Sequence, residues 1–166
     1  VSFTVSVLVP GRAGALGGVR RIRRSDSTAA KPTSAPMMGN PAGRDGVEAT
    51  ATAAPTVAAA CDADVVVSML ADDSAVEAVT FGAGGIVESL AEDAVHVSAS
   101  TISMALAERL NAAHVGAGQA FVSAPVFGRP EAAAAAKLFV VAAGPSERIT
   151  ALQPVFDALG QRTFVV

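Results

Sequence analysis

From residue 64 onward the chain alternates short, unbroken apolar runs with segments of helical period, and that alternation restricts the fold more than any other feature. DVVVSML (64–70) opens the series. A valine-rich run without polar alternation suits a strand covered on both faces. AVHVSAS (94–100), AFVSAPV (120–126), KLFVVAA (137–143) and the final RTFVV repeat the signature. Between them, Asp72 and Asp73 precede SAVEAVTF as capping residues. TISMALAERLNAAHVGAG places Ile102, Leu106, Leu110 and Ala113 on one helical face, with Gly116 as a stop. PSERITALQPVFDALG sets Pro145 at a helix start, aligns Ile149, Leu152, Phe156 and Leu159, and closes on Gly160; Pro154 predicts a bend within it. Strands alternating with helices imply βαβ units, hence an α/β fold with a mostly parallel sheet and right-handed crossovers.

Upstream the pattern fades. VSVLV (5–9) reads as a first buried strand, but residues 15–56 hold no apolar run fit for a central strand and are rich in Pro and Gly, so that segment is expected to be irregular or poorly ordered. A reading-frame shift over residues 12–50 is one hypothesis for the abrupt loss and recovery of pattern; an intact frame on resequencing removes it. The length of 166 residues fits one domain, 1–166, and no internal repeat is present. With 51% apolar and 16% charged residues the chain is of globular type. No apolar stretch has membrane-spanning length and the amino end lacks a signal-peptide pattern, so a soluble, cytoplasmic protein with no membrane partner is expected. The single cysteine, Cys61, agrees with a reducing compartment.

The formal charge of −3 hides an excess of basic residues before residue 49, concentrated in Arg20, Arg21, Arg23 and Arg24. No aromatic residue lies among these arginines to stack on a base, and a solvated surface is preferred to nucleic-acid binding. His96 and His114 have no metal-ligand spacing with each other or with Cys61, and no G-x-S-x-G elbow accompanies them; no metal site is expected, and His96 is expected to point outward from its strand.

The runs SMLADDSAVEAVTFGAGGIVESL, HVSASTISMALAERL and SAPVFGRPEAAAAAKLFVVAAG, in that order, resemble the 3-hydroxyisobutyrate dehydrogenase-related family of β-hydroxyacid dehydrogenases, whose amino-terminal domain is shared with 6-phosphogluconate dehydrogenase. The resemblance covers residues 57–166 and, more weakly, 5–14. It implies a Rossmann-type, doubly wound domain that binds NAD(P), followed in complete relatives by a helical domain that this sequence lacks. It also implies hydride transfer between the nicotinamide and a small hydroxy acid, aldehyde or imine.

Within that resemblance the G-x-G-x-x-G places hold Val9, Gly11 and Gly14, with Arg12 and Ala13 between the two glycines. The first glycine serves the tight turn and the second the close approach of the pyrophosphate, so Val9 and the donor-lacking Pro10 predict weak binding of NADP or NAD. Arg23 and Arg24 are candidates for a 2′-phosphate, which favours NADP. Met69, Leu70 and Ala71 lie at a strand's carboxyl end, along the cofactor by resemblance, and serve equally well as core by composition. Ser100 and Thr101 are implied at the nicotinamide end, with Thr101 also facing the substrate carboxylate; either hydroxyl also suits a cap of the helix that starts near Ile102. Where relatives carry a serine and two glycines for the substrate, this chain has Phe127, Gly128 and Arg129, a more apolar pocket with one forked cationic donor. Lys137 is expected at the surface.

The family's catalytic lysine and asparagine come from a helix after the last strand, and the sequence stops at that strand. No catalytic residue is therefore assigned, and the expectation is an NAD(P)-binding domain incomplete for catalysis. A small-molecule substrate is expected in a complete relative, together with a homo-oligomer. The rival reading is a non-catalytic Rossmann remnant that acts as an interaction module or has no function.

Overall fold

The computed structural model describes the backbone of residues 4–8, 19–23 and 51–53, and residues 54–166 in full. One six-stranded sheet and one three-stranded sheet form its frame. The strands of the larger sheet are β1 (Thr4–Leu8), β2 (Val19–Arg23), β3 (Ala51–Ala54), β4 (Val65–Ser68), β5 (Val95–Ser98) and β6 (Ala120–Ser123). Their order is β3-β2-β1-β4-β5-β6. β1, β4, β5 and β6 run parallel, as the valine-rich runs require, while β2 is antiparallel to both neighbours. β2 and β3 correct the expectation of irregular backbone across 15–56. The arginine run VRRIR is itself a strand, paired on both sides near the sheet's edge, where burial on both faces is not demanded.

Helices cover both faces of the large sheet. On one face Val66, His96 and Phe121 lie in register across β4, β5 and β6. Over them pack α1 (Val57–Ala60), α2 (Asp73–Phe81), α3 (Ile86–Ser89) and α4 (Met104–Gly116), through two clusters built on Val57, Ile86 and Leu90, and on Val76, Leu106 and Leu110. The opposite face presents Val65, Val67, Val95, Val97 and Val122 to Ile149, Leu152 and Phe156 of α6 (Ser146–Ala151) and α7 (Gln153–Leu159), Leu152 standing at their junction. Phe156 is fully buried there, a contribution of about 2–3 kcal/mol from area alone.

Pro154 has the expected effect. α6 ends at Leu152, which is also the N-cap of α7, and the proline occupies the first turn of α7, where its missing N–H costs nothing. The expected helical face of the preceding crossover is corrected by one residue: Leu106, Leu110 and His114 are buried on α4, and Ala113 is only half-buried.

KLFVVAA and RTFVV form strands, but not in the large sheet. β8 (Leu138–Ala142) pairs antiparallel with the two-residue β7 (Val126–Phe127) and parallel with β9 (Gly160–Val165). The bridge Ser123–Ala143 joins this second sheet to the end of β6. No helix among the described residues is long and apolar enough to cross a membrane.

Candidate functional site

The registers Leu8–Ser68, Ser68–Ser98 and Ser98–Ser123 bring the carboxyl ends of four parallel strands level on one rim. The chain reverses its direction of sheet growth between β1 and β4, since β2 and β3 lie on one side of β1 and β5 and β6 beyond β4. Open α/β sheets bind ligands outside the strand ends at such a switch point. Residues 69–73 after β4 and 99–103 after β5 stand on this rim.

Two hydrogen bonds tie these loops together. Leu70 N donates to Ser100 Oγ at 2.8 Å, and Ser103 N donates to Asp73 Oδ1 at 3.0 Å. Ser103's hydrogen bonds hold the Asp73 carboxyl below its usual value. Backbone bonds extend the ladders past the strands, from Ala99 N to Ser68 O and from Ala124 N to Ser98 O, each 2.7 Å. The cap of α4 is Ser103, whose Oγ accepts from Leu106 N, rather than Ser100 or Thr101; Ser100 is committed across the loop to Leu70. Asp72 caps α2 as expected, accepting from Ala75 N at 2.8 Å.

The candidate residues fall into four groups. Gly11, Arg12, Ala13 and Gly14, with Val9 and Pro10, lie outside the described residues, as does Arg24; of Arg23 only the backbone, in β2, is described. Met69, Ala71 and Thr101 are exposed on the rim, whereas Leu70 turns inward against the Val76–Leu106–Leu110 cluster and Ser100 is buried. Leu70 is thus packed against the core, as its composition allowed, and Met69 is a surface residue of the rim. Phe127, Gly128 and Arg129 are exposed on the second sheet, where Phe127 pairs with Phe139 and Arg129 is the N-cap of α5 (Pro130–Ala134). Gly128 has φ +153°, and a Cβ there would lie 2.6 Å from Leu138 Cδ2 and 3.2 Å from Ala132 Cβ, so this corner requires glycine. Lys137 is exposed, in the turn before β8.

His96 overturns its expectation. It is fully buried, with Nε2 2.8 Å from Ser68 Oγ and Nδ1 2.9 Å from His114 Nε2. The sequence spacing gave no sign of this pair; the signal was the apolar run around His96, whose flanking valines placed it in a two-sided strand. Burial pushes the pKa of both rings down, and His114 lowers that of His96 further. Burial also raises the Cys61 thiol to about 11, which leaves it protonated and unreactive. Among the described residues no group of three or more His, Cys, Asp or Glu side chains is arranged to hold a metal ion.

The rim offers hydroxyls, backbone amides, apolar surface and the carboxylates of Asp72 and Asp73. The family model described as the NAD binding domain of 6-phosphogluconate dehydrogenase matches residues 24–166. An oxidoreductase of Bacillus subtilis, YfjR, is 52% identical over 108 residues, covering 65% of this chain and 38% of its own. Among solved structures, Psf3 in complex with NADP+ and 2-OPP superposes with a TM-score of 0.66 at 27% identity, over 68% of this chain and 40% of that one. A 3-hydroxyisobutyrate dehydrogenase of Salmonella typhimurium gives a TM-score of 0.59 at 27% identity, over 64% and 36% of the two chains. The chain thus spans about two fifths of the length of these relatives.

Proposed function

Because the chain belongs to the family of the NAD binding domain of 6-phosphogluconate dehydrogenase, we propose that it is the NADP(H)-binding unit of a β-hydroxyacid dehydrogenase-like oxidoreductase. When the nucleotide is bound, Met69, Ala71 and Thr101 would hold its nicotinamide end, and Gly11, Arg12, Ala13 and Gly14 would hold its pyrophosphate. The observation that carries this reading is the common rim of Leu8, Ser68 and Ser98 at the switch point between β1 and β4. The bound NADP+ of Psf3 supports the choice of cofactor.

When bound, the cofactor supplies the hydride; the protein's part is to hold and orient it. Ser100 fixes the 69–71 loop through Leu70 N, and the exposed Thr101 hydroxyl is free to meet the nicotinamide or a substrate oxygen. A small hydroxy acid, aldehyde or imine is the proposed substrate, with Arg129 as its anionic anchor and Phe127 as its apolar wall. These residues alone are proposed to bind NADP(H) weakly and to turn nothing over.

Titration with NADPH, followed by cofactor fluorescence and by melting temperature, tests the reading. Quenching or enhancement that saturates, with a rise in melting temperature, is expected; flat signals in both favour the non-catalytic interaction module instead. Homo-oligomerisation is proposed through the second sheet, where the exposed Phe139 and Phe164 share one face.

A further inference from the structure

A continuous polar chain crosses the interior of the large sheet beneath the rim. It begins at Gln119, just before β6, passes through His114 on α4 and His96 on β5, and ends at Ser68, the last residue of β4. Gln119 precedes the amino end of β6, His96 is near the amino end of β5 and Ser68 is the carboxyl end of β4, so the chain runs obliquely across these three strands toward the rim.

Its proton order follows from one side chain. Gln119 Nε2 has two hydrogens, and both have acceptors: Val87 O at 3.1 Å and Leu90 O at 2.6 Å. Gln119 Oε1 must then accept, so His114 Nδ1 donates to it across 2.7 Å. With its proton on Nδ1, a neutral His114 presents a lone pair on Nε2, which accepts from His96 Nδ1. By the same step His96 Nε2 accepts from the Ser68 hydroxyl. Every donor in the sequence has one acceptor, and the direction is set by the amide at one end.

We propose that His96 and His114 are positioning residues: as neutral rings protonated on Nδ1, they form with Ser68 and Gln119 a one-way chain that fixes the end of β4 directly below the cofactor loop. The part of this proposal that concerns cofactor affinity rests on the reading given under Proposed function; the part that concerns proton order and loop order does not. The physical ground is the cost of mispairing. In the apolar face formed with Phe121, Val66 and Leu110, an unpaired polar atom costs about 1–3 kcal/mol, so with both rings neutral the one arrangement that pairs all four side chains is favoured. A slip at Ser68 breaks the chain at its rim end. Ser68 is followed by Met69 and by Leu70, whose amide meets Ser100, so the position of Ser68 sets that of the loop.

The rings' surroundings favour the neutral state. Ser68 faces them from β4, Phe121 from β6 and Gln119 from the turn after α4, and the titratable neighbour of each ring is the other ring. A proton added to His114 Nε2 sets donor against donor at His96 Nδ1 and drives the His96 proton to Nε2, where the Ser68 hydroxyl must turn to accept, so the chain reverses direction. Burial lowers both pKa values, outweighing the hydrogen bond to Gln119, which raises that of His114.

Nitrogen-15 NMR of the imidazoles in the whole chain tests the proton order, and NADPH titration with hydrogen exchange at the Leu70 amide tests the positioning. Both rings are expected in the Nδ1–H form at pH 8, with midpoints below the ordinary 6.5. Ser68→Ala is expected to leave the His114 signals in place, to speed exchange of the Leu70 amide, and to weaken NADPH binding about three- to tenfold, the range of one lost hydrogen bond. Ser68→Thr, which keeps the hydroxyl, is expected to restore both. An Nε2–H ring, or a histidine that titrates at an ordinary value, overturns the proton order whatever becomes of the variants. Unchanged Leu70 exchange in a folded Ser68→Ala protein overturns the positioning role, even if the wild-type chain binds no NADPH; absence of NADPH binding with the expected exchange result overturns only the cofactor reading.

Discussion

Ser100 and Thr101 are neighbours with opposite situations. Ser100 is buried and accepts from Leu70 N, so Ser100→Ala orphans that amide and is expected to cost about 1–2 kcal/mol in urea unfolding, with weaker NADPH binding. Thr101 is exposed, and Thr101→Ala is expected to change stability by less than about 0.5 kcal/mol while it too weakens binding. The buried histidines set the response to acid. Their folded-state pKa values lie below the ordinary 6.5, so the unfolded chain takes up more protons. Stability from burying neutral rings is therefore present above about pH 6.5 and is lost as pH falls toward the lowered folded values, by up to about 1.4 kcal/mol per pH unit for each ring. Urea unfolding at pH 8, 6.5 and 5.5 checks this; a flat profile contradicts it. At this scale the sequence was only partly legible. Asp72 as a cap followed from local chemistry, but Ser68–His96–His114–Gln119 joins four segments, and strand register, which no local pattern encodes, brings them together.

The elements were most legible where both faces are buried. β4, β5 and β6 followed from valine runs, and the break between α6 and α7 followed from Pro154, because these signals are local. β2 and β3 did not, since ATAA and VRRIR lack apolar periodicity and owe their strand form to pairing with each other and with β1. The transfer of β8 and β9 to a second sheet was equally hidden: an apolar strand does not declare its partner. α2 supplies an element-scale prediction. Its first turn is capped by the exposed Asp72, and Asp72→Ala is expected to lower stability by about 1 kcal/mol, read by thermal or urea unfolding. Gly128→Ala, at φ +153° against Leu138, is expected to cost about 1–3 kcal/mol and to loosen the turn between β7 and α5.

Among the described residues, β4, β5 and β6 are buried on both faces, while the second sheet leaves Phe127, Phe139 and Phe164 open, with Arg162 over the Phe164 ring. Self-association through this face is expected to appear in a sedimentation dilution series and to be weakened by Phe139→Glu, whose site is 42% exposed and so tolerates the charge. The central claim is that the level ends of β1, β4 and β5 receive a nicotinamide nucleotide. Amide chemical shifts followed during NADPH addition test it most directly. Saturating shifts concentrated at residues 69–71 and 99–101 are predicted; shifts confined to the second sheet, or none at all, contradict it.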